Sequence, residues 1–260
     1  MVKLTNVCKR FGSLNVLNGI NFSAPKGKTT AIIGPSGTGK STLLRCINLL
    51  EIPHTGELCI GEKHISFEDV KKENPFRRQK DILELRRLTG MVFQGFHLFP
   101  HKTILENIME GPIQVLKQNK KDVLQRAIQI LQKVDLSDKK DAYPSTLSGG
   151  QQQRAAIARA LGMEVQVLLF DEPTSALDPE LEREVLKVIR SLAQEKNTMI
   201  IVTHNLLFAK EVADYVAFMD GAQVAAFGTA DEIFGRKLPN LSNRACEFID
   251  AMLPPMEFNI

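Results

Sequence analysis

The stretch TTAIIGPSGTGKSTLLRCINLL, Thr29 to Leu50, decides how this chain is read. Thr29 to Gly34 is a short β-branched and apolar run ending in glycine, which predicts a buried strand. Ser41 to Leu50 is apolar enough for a buried helix. Between them GPSGTGKS, Gly34 to Ser41, fits G-x-x-x-x-G-K-[ST] in the context that pattern needs, after a strand and at the start of a helix. Gly34, Gly37 and Gly39 let backbone N–H groups turn inward around phosphates, and Pro35, Ser36 and Thr38 complete the loop. Lys40 reaches the β and γ phosphates, the Ser41 hydroxyl can ligate Mg²⁺, and Thr42 lies in the first helical turn at the same site. The expected unit is strand, phosphate loop, helix.

Outward from that unit the chain reads as α/β. VQVLLFDE, Val165 to Glu172, and TMIIVTH, Thr198 to His204, are continuous apolar runs ending in polar residues, as for parallel strands buried on both faces. Their polar ends are expected at one sheet edge. Asp178-Pro179 predicts an N-cap with proline at the first helical position, followed by helical periodicity from Leu181 to Ala193. Strand, helix and strand in that order argue for a right-handed parallel crossover. The adjacent acids ending the first run can divide labour: Asp171 holds Mg²⁺ through water, and Glu172 polarises the attacking water.

Antiparallel signals flank this core. Val2 to Cys8 alternates weakly, and Ile20 to Ala24 is a second short strand candidate. In YVAFMDGAQVAAFG, two apolar strands flank Asp220-Gly221, a type I′ hairpin signal expected at the margin of the fold. From about Thr103 to Gly162 the signals are helical, with Val123, Leu124, Ala127, Ile128, Leu131 and Val134 on one apolar face. A helical subdomain, about 95–162, is therefore expected as an insertion in the α/β core. The basic run KKENPFRRQK, Lys71 to Lys80, reads as a solvated loop, with a surface for anionic lipid or a partner as the alternative, before a short helix from Asp81 to Leu88.

Composition narrows the classes. A net charge of +3 left by 33 basic and 30 acidic residues is not the one-signed field that steers proteins onto nucleic acid, so no nucleic-acid partner is expected. Cys8, Cys46, Cys59 and Cys246 are scattered without a CxxC pair and read as reduced packing residues. Lys3 and Asn6 interrupt any signal-peptide core, so the start reads as mature protein. The longest runs without Asp, Glu, Lys or Arg, Phe11 to Pro25 and Leu88 to His101, are too short and too polar for a transmembrane helix.

TLSGGQQQR, Thr146 to Arg154, poses a separate question. Ser148 and Gln151 fit the S-x-x-Q capping box of a helix N-terminus, with Gly149 and Gly150 allowing close approach to its N–H groups. The residues leave two readings open. An ordinary capped helix explains Ser148 and Gln151 but not two poor helix formers in the first turn; an anion site explains the glycines but lacks a lysine of its own.

LSGGQQQR, Leu147 to Arg154, is similar to the signature motif of ATP-binding cassette proteins. The phosphate loop, VLLFDEP, SALD at Ser175 to Asp178 and VTH ending in His204 follow in that family's order. The resemblance covers nearly the whole chain. It implies one cassette ATPase domain over 1–245 and a short tail over 246–260. It further implies ATP and Mg²⁺ as ligands and an ATP-dependent head-to-tail homodimer, in which each signature (Ser148, Gly149, Gly150, Gln151) closes over nucleotide held by Lys40 of the partner subunit. By the same resemblance Gln94 in VFQGF senses Mg²⁺ and the attacking water, and His204 contacts the γ-phosphate. Phe11 in KRFG stacks on adenine where tyrosine is common, although the residue alone reads as core, and Asp178 communicates across the dimer.

Within the family, RCINLLEIPHTGEL, VFQGFHLFPHKTILENI and LLFDEPTSALDPEL are most similar to bacterial importers of polar amino acids, with arginine importers nearest around INLLE. The resemblance then implies membrane permease subunits as partners, a solute-binding protein acting through them, and a place on the cytoplasmic face of the inner membrane. FHLFPH is expected to line a groove for a partner's helix. Phosphate importers and lipid or lipoprotein exporters are the alternatives, followed by soluble cassette ATPases of DNA or ribosome function. Three departures from the family pattern stand out: Gly95 after Gln94, expected to loosen that backbone; Asn205 after His204, where an acid is usual; and Gly162 with Val165, where alanine and proline are usual.

Overall fold

The structure, a computed structural model, describes residues 1–68, 75–239 and 241–253. The chain begins with β1 (Val2–Phe11), β2 (Leu14–Ala24), β3 (Thr29–Ile33), α1 (Lys40–Ile47), β4 (Thr55–Ile60), β5 (Lys63–Ser66) and α2 (Pro75–Arg87). It continues through β6 (Thr89–Val92), α3 (Ile104–Gln114), α4 (Lys120–Lys133), α5 (Gly149–Gly162), β7 (Val167–Asp171) and α6 (Pro179–Gln194). The remaining elements are β8 (Met199–Val202), α7 (Leu206–Val212), β9 (Tyr215–Asp220), β10 (Gln223–Thr229), α8 (Ala230–Phe234) and α9 (Asn243–Met252). They group into two compact units, Met1–Arg86 with Lys196–Ile260, and Arg87–Glu195.

In the first unit an antiparallel sheet has the order β2-β1-β4-β5. Alternate residues such as Val2, Leu4, Leu58 and Ile60 are buried, as expected for strands with one solvated face. β1 and β2 are longer than the weak alternation predicts, because cross-strand pairing carries them on to Phe11 and Leu14. A second set of strands is mostly parallel: β8 and β9 run parallel on either side of β3, and β10 pairs antiparallel with β9. All five residues of β3 are buried, the mark of a strand covered on both faces.

The register decides what emerges where. Ile32 pairs with Val202 and Ile33 with Phe218. Because the strands are parallel, the chain leaves β3 at Gly34, β8 toward His204 and β9 toward Gly221 at the same edge. The β9–β10 turn falls one residue later than the sequence suggests: Asp220 pairs with Gln223, and the turn residues are Gly221 (φ 53°) and Ala222 (φ 64°). Positive φ at both is the type I′ geometry. The hairpin is not wholly marginal either, since β9 lies against β3 and only β10 is outside it. The last helix is packed rather than loose, for Ala245 and Ile249 of α9 join Ala31, Ile33 and Phe218 in one core.

Two further expectations shift. α2 starts at Pro75, six residues earlier than predicted, since proline at the first helical position costs no hydrogen bond. Part of the basic run is therefore helical rather than loop, with the Arg78 guanidinium 6.0 Å from the Phe67 ring; Lys71 to Asn74 lie outside the described residues.

In the second unit β6 and β7 run parallel, and Val92 pairs with Phe170, so Phe93-Gln94 and Glu172 leave the sheet at one edge. α3, α4 and α5 stand between them in sequence. On α4, Leu124 and Ile128 are exposed, whereas Val123, Ala127, Ile130 and Leu131 are buried with Val134. At 100° per residue the buried stripe is centred about 40° from the predicted face, leaving Leu124 and Ile128 on its flank. Asn107, fully buried on α3, accepts from Phe99 N at 2.8 Å and donates to the carbonyls of Phe99, Lys102 and Thr103, fixing the FHLFPH loop.

Candidate nucleotide-binding site

The first unit builds a phosphate loop from backbone. At Gly34 φ is +141°, and an added Cβ would stand 2.2 Å from Met219 O, so only glycine lets the loop leave the sheet beside β9. Gly39 (φ 97°) is the N-cap of α1, and no side chain caps that helix. A helix start with no side-chain cap is an arrangement suited to an anion. Lys40 is 5% exposed and folds back across the loop, its Nζ donating to Gly34 O and Pro35 O at 2.8 Å each. The Thr38 hydroxyl donates to Pro35 O at 2.9 Å, and Ser41 and Thr42 follow half-buried in the first turn.

At the same edge, His204 is half-buried beyond β8. Asn205 caps α7 by accepting from Phe208 N at 2.9 Å, so the departure from an acid keeps the cap and drops a negative charge. Phe11 ends β1 with 47% of its surface exposed and Lys9 Nζ 5.0 Å from its ring centroid. The core reading of Phe11 is thus excluded, and its ring is available for stacking. Burial pushes the Cys46 thiol on α1 up to about 12, so it stays protonated and inert. All four cysteines are free.

The second unit supplies carboxylates and the signature. Asp171 ends β7 and is 5% exposed. Glu172 follows with φ 49°, the left-handed region that a non-glycine residue enters at a cost. Its carbonyl accepts from the Ser175 hydroxyl at 3.0 Å, which holds the turn that reverses the chain toward α6. Asp178 caps α6, accepting from Glu180 N and Leu181 N at 3.2 and 3.0 Å. Gln94 is exposed just past β6.

At the start of α5 the predicted capping box is present. Ser148 Oγ accepts from Gln151 N at 3.3 Å, and Gln151 Oε1 accepts from Ser148 N at 3.1 Å. The glycines have a packing reason that the sequence does not reveal. A Cβ at Gly149 would meet Leu177 Cδ2 at 3.1 Å, and one at Gly150 would meet Leu181 Cβ at 3.0 Å, so both admit the start of α6 against α5.

Two residues of α5 escape the sequence reading altogether. Gln153, fully buried, donates through Nε2 to Phe93 O at 3.0 Å. Arg159 donates to Phe96 O at 3.4 Å and to His97 O. The backbone on both sides of Gln94 therefore hangs from the signature helix. At Gly95 an added Cβ would stand 3.3 Å from His97 Nε2, at the tip of an exposed side chain, so the position is crowded without being closed. Gly162 is more tightly confined, because a Cβ would come within 2.8 Å of Ile108 O and force the α3 backbone to shift, and Val165 lies against Gly90.

The two units thus divide the predicted residues. Phe11, Gly34 to Thr42 and His204 belong to the first; Gln94, Ser148 to Gln151, Asp171, Glu172 and Asp178 belong to the second. Among the described residues no helix is long and apolar enough to cross a membrane.

Comparison with known proteins gives a consistent result. Residues 17–175 match the family described as ABC transporter. The chain is 52% identical over 256 residues to the L-cystine import ATP-binding protein TcyC of Bacillus subtilis, covering 98% of this chain and 100% of that one. It is 47% identical over 253 residues to the arginine transport ATP-binding protein ArgV of Corynebacterium glutamicum, covering 97% and 98%. Among solved structures it resembles the dimeric post-hydrolysis state of the ATP-binding cassette MJ0796 bound to ADP and Pi, with a TM-score of 0.73 and 32% identity over 88% of this chain and 99% of that one. An uncapped glycine-rich helix start, an acid pair ending a buried strand and a capped signature helix, in a chain matched over nearly its full length, leave one conclusion: this chain belongs to the ABC transporter family.

Proposed function

We propose that the chain hydrolyses MgATP in a head-to-tail dimer and so drives the permease of an importer for polar amino acids. The observation that carries the reading is the uncapped start of α1 beneath a folded-over Lys40, a backbone anion cradle with its counter-charge in place. Lys40 holds the β and γ phosphates. The Ser41 hydroxyl, the Asp171 carboxylate acting through water and the Gln94 side chain offer the hard oxygen donors that suit the Mg²⁺ arriving with the nucleotide. Glu172 polarises the attacking water, His204 contacts the γ-phosphate and Phe11 stacks on adenine. Ser148 to Gln151 close over nucleotide bound by Lys40 of the partner subunit, which supplies the lysine that the signature lacks. Asp178 carries contact across that dimer.

Relatives named for cystine and for arginine both lie at about half identity, which supports polar amino acids as the solute class rather than arginine alone. The chain acts at the cytoplasmic face of the membrane by binding a permease, and a solute-binding protein acts through that permease. A cavity of about 450 Å³ in the second unit, lined by Phe99, Gly111, Val115, Arg159 and Met163 among others, offers an apolar seat for a permease helix.

Tagged Glu172→Gln, isolated in mild detergent with MgATP, tests the reading. Co-purification of a multi-span permease with an amino-acid-binding protein is expected, with ATP still bound and turnover reduced about 10²–10⁴-fold. Recovery of soluble nucleic-acid or ribosome partners alone would overturn the importer reading, and loss of ATP binding would overturn the role given to Glu172.

A further inference from the structure

We propose that Arg244, on the C-terminal helix α9, contacts the polyphosphate of the nucleotide seated on the phosphate loop of the same chain. The inference rests on the nucleotide reading and extends it to an element that lies far outside the family's sequence motifs.

Three observations within the first unit carry it. A cavity of about 390 Å³ opens beside the phosphate loop, walled by Pro35 to Thr38, by Leu14 to Val16, by the turn Asp220 to Ala222 and by Arg244. Among the described residues Arg244 is the sole residue of α9 on that wall, and the sole basic one. Its guanidinium is aimed: Nε stands 3.2 Å from Asp220 Oδ2, at the last residue of β9. Anchoring through Nε leaves the two terminal nitrogens as the planar fork that pairs with phosphate oxygens. Arg244 keeps 65% of its side chain exposed against 24% for Asp220, so the half-buried acid is the anchor and the cation the presented group.

The backbone beneath Arg244 is also fixed with respect to the loop. Ala245 and Ile249 are buried in the core that holds Ile33 and Phe218, and the Phe248 ring lies 5.6 Å from that of Phe218. Phe218 pairs in register with Ile33, the residue before Gly34, and Gly34 touches the backbone of Met219. β9 therefore joins α9 to the phosphate loop through consecutive residues: Phe218 holds the helix, Met219 abuts the loop and Asp220 orients Arg244.

The test is displacement of a fluorescent ATP analogue by MgATP and by AMP, on the full chain and on Arg244→Ala, Arg244→Gln and Arg244→Lys, with a thermal melt of each. Loss of a charge-assisted hydrogen bond to phosphate is expected to raise the MgATP dissociation constant of the Ala and Gln variants about tenfold. AMP affinity should stay within about twofold, because AMP lacks the β and γ phosphates, and Lys should recover only part of the MgATP loss, since it keeps the charge but not the fork aimed by Asp220. Unchanged MgATP affinity would overturn the proposal. Equal weakening of MgATP and AMP with a lowered melting temperature would overturn it too, by showing that Arg244 only fastens α9. Should Arg244→Ala fail to fold, Arg244→Gln keeps the stem and decides the same question. Failure of the unmodified chain to bind MgATP would instead break the nucleotide reading on which the proposal stands.

Discussion

The chain contains two glycine-bearing helix starts, and they solve opposite problems. At α1 the glycine N-cap is left-handed, no side chain caps the helix, and Lys40 folds over the loop. At α5 the glycines lie inside the helix, Ser148 and Gln151 cap each other reciprocally, and the glycines make room for Leu177 and Leu181. The first start has no side-chain cap and supplies the counter-charge, so it suits an anion by itself. The second has already satisfied part of its own N–H groups, and so it can only complement an anion held elsewhere.

A second contrast refines the first. The boxes at α3 (Thr103 with Glu106) and α8 (Thr229 with Glu232) close with a carboxylate, whereas the box at α5 closes with the neutral amide of Gln151. A carboxylate at that position would stabilise the helix start and repel a phosphate. The signature helix therefore has the cap without the charge.

The largest effect that could break this comparison is expected at Lys40. Removing a buried cation hydrogen-bonded across the loop, Lys40→Ala, should weaken MgATP binding roughly a hundredfold by the worth of hydrogen bonds to charged groups. Nucleotide displacement measures it, and an effect no larger than that of Ser148→Ala would erase the distinction between the two sites. Next is Gln151→Glu, which keeps the box and adds a charge. ATP-dependent dimerisation, followed by light scattering with the slow Glu172→Gln background, should weaken several-fold at low salt, while unfolding stability is retained or rises. Unaltered dimerisation would separate α5 from the nucleotide.

Ser148→Ala should cost about 1 kcal/mol in urea unfolding, the usual worth of an N-cap, without changing the affinity of the monomer for MgATP. The smallest effect is in pH. Bonds from the Thr103 backbone and side chain hold the Glu106 carboxyl below the usual glutamate range, and Thr229 does the same for Glu232. A depressed folded pKa stabilises above the unfolded value, near about 4.3, and that contribution is lost as pH falls through the folded value. The double variant Glu106→Gln/Glu232→Gln should therefore show a shallower loss of stability on acidification below that range, whereas Gln151→Ala should leave the slope unchanged. An unaltered slope in the double variant would show that the two carboxylates are not held by their caps.

Local rules explain what could be read in advance. Proline and aspartate placed the start of α6, the continuous apolar run of β3 marked a strand buried on both faces, and S-x-x-Q marked the start of α5. Each depends on neighbours within a turn or on spacing along one element, so the chain carries the information linearly. Composition could not reveal that Phe11 is exposed, that Gly149 and Gly150 answer to α6, or that Gln153 is buried beneath Phe93 O. Those depend on what another element brings alongside.

By itself, the sequence determined the phosphate loop, the order of the motifs and hence the family, because glycine, lysine and capping residues act through backbone geometry that is local. Only the tertiary structure decided which helix starts are open and which are closed by their own side chains, why small residues stand at Gly34, Gly150 and Gly162, and that the C-terminal helix reaches the phosphate loop through β9. The physical reason is excluded volume and directionality: a Cβ that would fall 2.2 Å from a carbonyl, or a guanidinium aimed by a carboxylate 24 residues away in the chain, exists only once distant segments are packed together.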